Sequence, residues 1–220
     1  MIETGVLFDD IHSFRDLNLV LAPFVLPPAK LKKNYIDVPG RDGSIDATEA
    51  TGKATYEDRE FSITFTVYPE DDLTFEERQT VVSNALNGTR CKITLEKDPD
   101  YYLDARCTVD EHFANKKLRQ IVVGVRCAPY KMNQHETVVS CDLASNEEKT
   151  IILLNSKKQV CPIIEVSGEV SVTFGGYSQT YTTGKYKDLG ICLLKGANTL
   201  TVQAPSNSAT IKFSYREGVL

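Results

Sequence analysis

An all-β fold with one short α-helix, arranged as two β-sandwich-type domains, follows from three features of the sequence. Residues 61–67, 91–95, 103–109 and 121–127 alternate apolar and polar side chains with period two, as strands with one buried face do. Residues 150–154, 162–166, 169–174, 179–183, 191–194, 199–203 and 209–215 are short strand-like runs at close spacing, and Gly175-Gly176 supplies a two-residue hairpin between two of them. Only one segment, about 74–87, keeps a helical period.

Ahead of the clearest strand lies Val38-Pro39-Gly40-Arg41-Asp42-Gly43-Ser44-Ile45-Asp46, which follows the alternating Tyr35-Ile36-Asp37-Val38. Pro39 fixes φ and removes a donor, Gly40 and Gly43 permit φ > 0, and Asp-Gly reverses hairpins, so this stretch reads as a strand running into a tight tip. Tyr56-Glu57-Asp58-Arg59-Glu60 then leads into the strand at 61–67. In the helix, Thr74-Phe75-Glu76-Glu77 forms a capping box, Val81, Val82, Ala85 and Leu86 form an apolar stripe, and Gly88 ends it. Lys97-Asp98-Pro99-Asp100 is a hairpin turn with aspartate as turn former. Pro129 and the polar run after it place a boundary that divides the chain into domains 1–132 and 133–220.

Composition excludes more than it assigns. A chain of 220 residues can bury one large or two small cores, and no apolar run reaches the length of a membrane span. The N-terminus carries neither a basic nor an apolar signal region, so the expected site of synthesis and residence is the cytoplasm, without secretion. A net charge of −5, with the short basic groups Lys30-Leu31-Lys32-Lys33 and Lys116-Lys117-Leu118-Arg119 isolated, disfavours a phosphate-gripping surface. The six cysteines form no Cys-x-x-Cys pair and no zinc spacing, and they read as small buried hydrophobes kept reduced.

No catalytic constellation emerges, and no enzyme activity, cofactor or metal is expected. His12, His112 and His135 lie far apart and read as surface or loop residues. There is no nucleophile elbow, phosphate loop or dinucleotide fingerprint. Adjacent carboxylates such as Asp9-Asp10, Asp71-Asp72 and Glu76-Glu77 do not oppose each other across a sugar, and calcium at Asp98, Asp100 and Asp104 lacks the glycine and terminal glutamate of an EF-hand loop. Tyr101-Tyr102 reads either as a sugar-stacking platform or as aromatics packed between sheets or subunits; the absence of tryptophan weighs against the first.

The order of these motifs resembles the distal tail proteins of long-tailed phages. Pro39-Gly40-Arg41-Asp42-Gly43 with Tyr56 and Arg59, the helix followed by Leu86-Asn87-Gly88, and Asp98-Pro99-Asp100-Tyr101-Tyr102-Leu103 with Ala105-Arg106 are similar to that family's first domain. So are Phe8, His12-Ser13-Phe14 and the strand at 17–21, and Cys127-Ala128-Pro129-Tyr130-Lys131 resembles the end of that domain. Asn155, Pro162-Ile163-Ile164-Glu165-Val166 and Leu194-Lys195-Gly196-Ala197-Asn198-Thr199-Leu200 resemble the second, although Ser156 stands where glycine often follows the asparagine.

The resemblance implies a non-catalytic structural protein of a phage or prophage tail. Its N-terminal domain would close into a homo-hexameric ring, and its C-terminal domain would be a galectin-like β-sandwich. The ring would join the tail tube protein to tail-associated fibre or lysin proteins and receptor-binding proteins at the baseplate, and DNA would pass through without specific binding. The expected location is the virion tail, with no membrane insertion. Pro39, Gly40, Arg41, Asp42, Gly43, Tyr56 and Arg59 are the implied subunit-interface residues, with residues 38–46 the tip of an inter-subunit hairpin. Arg59 either anchors an acidic group near the base of that hairpin or is a solvated strand-edge arginine. The second domain leaves no room for the inserted carbohydrate-binding module that larger relatives carry. A carbohydrate- or receptor-binding sandwich active in host adhesion is the alternative function.

Overall fold

Side-chain parity decides the architecture of this chain strand by strand. The computed structural model describes residues 5–67, 73–109 and 119–220. These fall into two units, one over residues 1–131 and one over Met132–Val219.

In the first unit the strands are β1 (Val6–Phe8), β2 (Ile11–His12), β3 (Leu19–Leu21), β4 (Tyr35–Ile36), β5 (Ile45–Asp46), β6 (Arg59–Val67), β7 (Arg90–Leu95), β8 (Tyr101–Val109) and β9 (Gln120–Cys127). Seven of them hydrogen-bond in the order β2-β1-β7-β8-β9-β6-β3, with antiparallel neighbours throughout. Ile63, Phe65 and Val67 of β6, Ile93 of β7, and Ile121 and Val123 of β9 point to the same buried face. The opposite face carries Glu60, Ser62, Arg90, Arg106 and Arg126.

The helix α1 (Phe75–Leu86) covers this core with Phe75, Val82 and Leu86. Thr74 accepts from the Glu77 N–H, and the Glu77 side chain returns a bond to the Thr74 N–H, the reciprocal cap its spacing predicts. A bond from the Thr74 hydroxyl, and after it the one from the Thr74 N–H, holds the Glu77 carboxyl below its usual range. Gly88, at φ +74°, carries the chain out of the helix. Val81 departs from the expected apolar stripe: it is exposed, because it lies one residue off the arc defined by Phe75, Val82 and Leu86.

The second unit is a β-sandwich. Its strands are β10 (Lys131–Asn133), β11 (Thr137–Leu143), β12 (Glu148–Asn155), β13 (Ile163–Ser167), β14 (Val170–Phe174), β15 (Tyr177–Tyr181), β16 (Gly184–Lys187), β17 (Gly196–Gln203), β18 (Ala209–Tyr215) and β19 (Gly218–Val219), with β10 entering it from the preceding unit. One antiparallel sheet runs β11-β18-β13-β16 and the other β12-β17-β14-β15. Their inner faces share a core that includes Leu153, Ile164, Val172, Leu200, Val202, Ile211 and Phe213.

Two differences from the sequence reading have physical causes. The strands β11 and β16 were not expected; β11 is a sheet edge that buries Leu143 and half-buries Val139 and Cys141. Residues 191–194 do not form a regular strand, although Ile191 and Leu193 are fully buried. Their backbone makes one bridge, Val160–Leu193, and a turn bond from the Ile191 N–H to the Asp188 carbonyl. Side chains take over the ladder's work: Asn155 Nδ2 donates to the Leu193 carbonyl at 3.2 Å, and Asn198 Nδ2 donates to the Leu194 carbonyl at 2.9 Å.

The same crossing corrects the cysteine reading. Cys161 and Cys192 are joined by a disulfide, with Cα atoms 4.2 Å apart. Cys91, Cys107 and Cys127 are buried free thiols, with Cys91 and Cys107 Sγ atoms 3.6 Å apart, and Cys141 is half-buried. Burial pushes the Cys127 thiol up to about 11.

Candidate subunit interface

Between β3 and β6 the chain leaves the sheet as a long hairpin arm. Its limbs meet at the Leu31–Tyr56 bridge, with Lys32 N–H donating to the Thr55 carbonyl and Glu57 N–H to the Lys30 carbonyl. Further out, β4 and β5 pair through Tyr35 with Asp46 and Ile36 with Ile45. Every residue from 30 to 46 is exposed, among them Tyr35, Ile36, Val38 and Ile45. A lone two-stranded ribbon in water is marginal at best, and exposed apolar residues along its length call for a covering surface.

The tip is held by local chemistry. Gly40 and Gly43 take φ values of +79° and +72°, which only glycine adopts without strain. Arg41 N–H donates to the Val38 carbonyl, and the Ser44 hydroxyl donates to Asp37 at 2.7 Å. Thr48 donates to Asp46 and holds that carboxyl below its usual range. Arg41 and Asp42 have no side-chain partner among the described residues.

The root of the arm is built around Arg59. Parity places this residue in phase with Ile63 and Phe65, so its side chain enters the unit and is 5% exposed. Its Nε donates to the Pro129 carbonyl at 2.8 Å and its Nη1 to the Pro27 carbonyl at 2.6 Å. Arg59 therefore anchors backbone carbonyls, and both the acidic partner and the solvated strand edge are corrected. Burial pushes its guanidinium down from its ordinary value, and Nη2 has no partner among the described residues. Tyr56 packs edge-on against Tyr130, with ring centroids 6.1 Å apart. Beside this root is a recess of about 360 Å³ lined by Pro27, Lys30, Lys32, Asp58, Glu60 and Arg126 among others.

The other residues singled out in the sequence resolve as follows. Tyr101 and Tyr102 project to opposite faces of β8 and make no shared platform; Lys131 lies 4.9 Å from the Tyr101 ring and Lys92 5.1 Å from the Tyr102 ring. Asp98 pairs with Lys131 at 2.5 Å and Asp104 with Arg90 at 2.6 Å, so cations of the chain already neutralise two of the three aspartates considered for calcium. No group of three or more His, Cys, Asp or Glu side chains converges into a metal-holding set among the described residues.

His12 was expected at the surface and is buried instead, at 3% exposure. Its Nδ1 accepts from the Phe14 and Arg15 N–H groups, each at 3.1 Å, which assigns the ring proton to Nε2, 2.9 Å from Glu96. Glu96 also accepts from the Gly5 N–H, and that bond, followed by the His12 bond, holds its carboxyl below the usual range. His135 is exposed, while His112, Asp71-Asp72 and Lys116-Lys117-Leu118 lie outside the described residues.

The fold of the two units, taken in order, is also that of a solved phage protein. The crystal structure of Dit (gp 19.1) of phage SPP1, presented as a paradigm of the hub adsorption apparatus in phages that infect Gram-positive bacteria, matches 99% of this chain over 99% of its own length. The TM-score is 0.66 at 13% sequence identity. A de novo designed double-stranded β-helix matches 38% of this chain and 100% of its own at 17% identity, with a TM-score of 0.27 too low to bear on the fold. No family model matches the sequence. No curated protein matches it either.

Proposed function

We propose that this chain is the distal tail hub of a phage or prophage, a structural virion protein whose copies close into a hexameric ring. The ring would connect the tail tube to the host-attachment apparatus and let DNA pass. The observation that carries this reading is the end-to-end likeness to Dit of SPP1, which spans both units in order. The exposed arm supports it: a heterologous contact, arm of one copy on body of the next, generates a closed ring when the rotation permits. Edge strands and an unsupported ribbon gain a cover by the same contact.

In this reading Pro39, Gly40, Arg41, Asp42 and Gly43 touch the neighbouring copy, while Tyr56 and Arg59 set the angle at which the arm leaves the sheet. The second sandwich, galectin-like in architecture, would be the platform on which fibre, lysin or receptor-binding proteins dock. No catalytic turnover is required. A carbohydrate- or receptor-binding module built on the second sandwich is the alternative.

Light scattering and negative-stain imaging of the full chain test the proposal. Closed rings of uniform size are the expected result. A persistent monomer at tens of micromolar that binds glycans would replace the hub with the adhesion module.

A further inference from the structure

On the outer face of the first unit, three arginines stand in one cross-strand row. Arg90 of β7 is opposite Arg106 of β8, Arg106 is opposite Arg126 of β9, and Arg126 is opposite Glu60 of β6. Like charges directly opposed on a sheet are unfavourable unless each is compensated. Two of the three are. Arg90 makes a bidentate pair with Asp104 at 2.8 and 2.6 Å, and Arg126 donates to Asp58 at 3.1 and 3.2 Å with Glu60 at 3.5 Å. Arg106 has no carboxylate among the described residues; its Nη1 donates to the Gly88 carbonyl at 2.7 Å, which leaves most of its five N–H donors without a partner there.

The floor beside this row is made of small residues. Thr108, Gly124 and Ser62 are in register one step along the strands. A Cβ on Gly124 would come within 2.7 Å of Thr108 Oγ1, so a larger side chain there would have to displace Thr108. Recesses of about 440 and 470 Å³ flank Arg106 on its two sides, both bounded by Arg126. Arg126 also lines the recess at the arm root, so the three depressions share one wall.

We propose that this row receives the arm tip of a second copy of this chain, with Arg106 meeting Asp42. The inference rests on the ring reading and names its receiving surface. Charge fits on both sides: Asp42 is the tip carboxylate without a partner, and its neighbour Arg41 matches the Asp58–Glu60 end of the row. Shape fits as well, because a tip flanked by Gly40 and Gly43 is slim enough for a shallow depression with a Gly-Ser-Thr floor. Along the row three arginines, Arg90, Arg106 and Arg126, stand with three carboxylates, Asp58, Glu60 and Asp104, and Arg106 is the arginine that none of them reaches. One uncompensated arginine suits a single carboxylate and is too little for a phosphate strand, whose grip needs several uncompensated cations.

The experiment compares wild type, Arg106→Asp, Asp42→Arg and the double exchange by native mass spectrometry and light scattering, with circular dichroism as the folding control. Each single reversal is expected to weaken ring assembly about tenfold or more, and the double exchange to recover most of the loss. Arg106→Gln, which keeps the shape and removes the charge, is expected to weaken assembly less than the reversal. Wild-type rings that persist unchanged in Arg106→Asp would overturn the inference while leaving the hub intact. A wild type that forms no ring would instead remove the hub. Salt-dependent DNA binding lost in Arg106→Asp, with rings unaffected, would reassign the row to nucleic acid.

Discussion

Arg59 illustrates how a single residue can set the geometry of an element far larger than itself. Its two bonds tie the start of the arm at Pro27 to the end of the first unit at Pro129. Bonds from a charged donor contribute about 1.5–3 kcal/mol each, net of the exchange with water. Arg59→Met is therefore expected to lower stability by about 2 kcal/mol or more, read as a fall in the denaturant midpoint. An unchanged midpoint would show that the carbonyls find other donors.

Glu96 makes a second residue-scale prediction. Its carboxyl is held below the ordinary value of 4.5 in the folded chain, so the stability it lends is fully present above that value and is lost as pH falls through the lower folded one. The stability difference between wild type and Glu96→Gln should thus shrink as the medium is acidified below about pH 4. Urea midpoints measured across that range check it, and a gap that widens on acidification would contradict it.

At the scale of elements, caps and turns behave as local chemistry requires. Thr74→Ala removes one side of the reciprocal cap on α1 and should cost about 1 kcal/mol, visible in thermal unfolding. At the arm tip, Gly43 has φ +72°, where a β-branched side chain is strongly disfavoured. Gly43→Val with Asp42→Lys should leave a folded monomer that no longer closes rings, because the arm is exposed along residues 30–46 and carries no core. Rings of normal size from that variant would remove the arm from the interface.

Elements also show where pattern reading stops. Alternation in 61–67 and 121–127 was enough to find β6 and β9, and Thr74, Glu77 and Gly88 were enough to bound α1. Extending the parity of β6 back by two residues would have placed Arg59 on the core face. Residues 191–194 misled because apolar alternation reports burial, and here amides of Asn155 and Asn198 replace the ladder. The same two asparagines fell within motifs that pointed to a family resemblance, without a role for their side chains.

For the whole molecule, the disulfide is the feature with the widest reach. It closes a span of 31 residues within the second sandwich. Constraint of the unfolded chain by such a loop is worth about 2–4 kcal/mol. Cys161→Ser with Cys192→Ser should lower the unfolding temperature of the second unit, and reductant added to wild type should do the same. A calorimetric trace indifferent to both would show that the bond contributes nothing to stability.

The sequence by itself determined the elements whose cause is local: alternating strands, the capped helix, the glycine-dependent arm tip and the order of turn motifs that resembles a phage tail hub. Short-range sterics and hydrogen bonds act between residues a few positions apart, and a string of letters records them. Only the tertiary structure decided what depends on strands distant in the chain. It paired Cys161 with Cys192 across the Val160–Leu193 bridge, buried His12 against Glu96, turned Arg59 onto two carbonyls, and set Arg90, Arg106 and Arg126 in one row. Register between strands is fixed by the packing of a shared core, and no local pattern carries it.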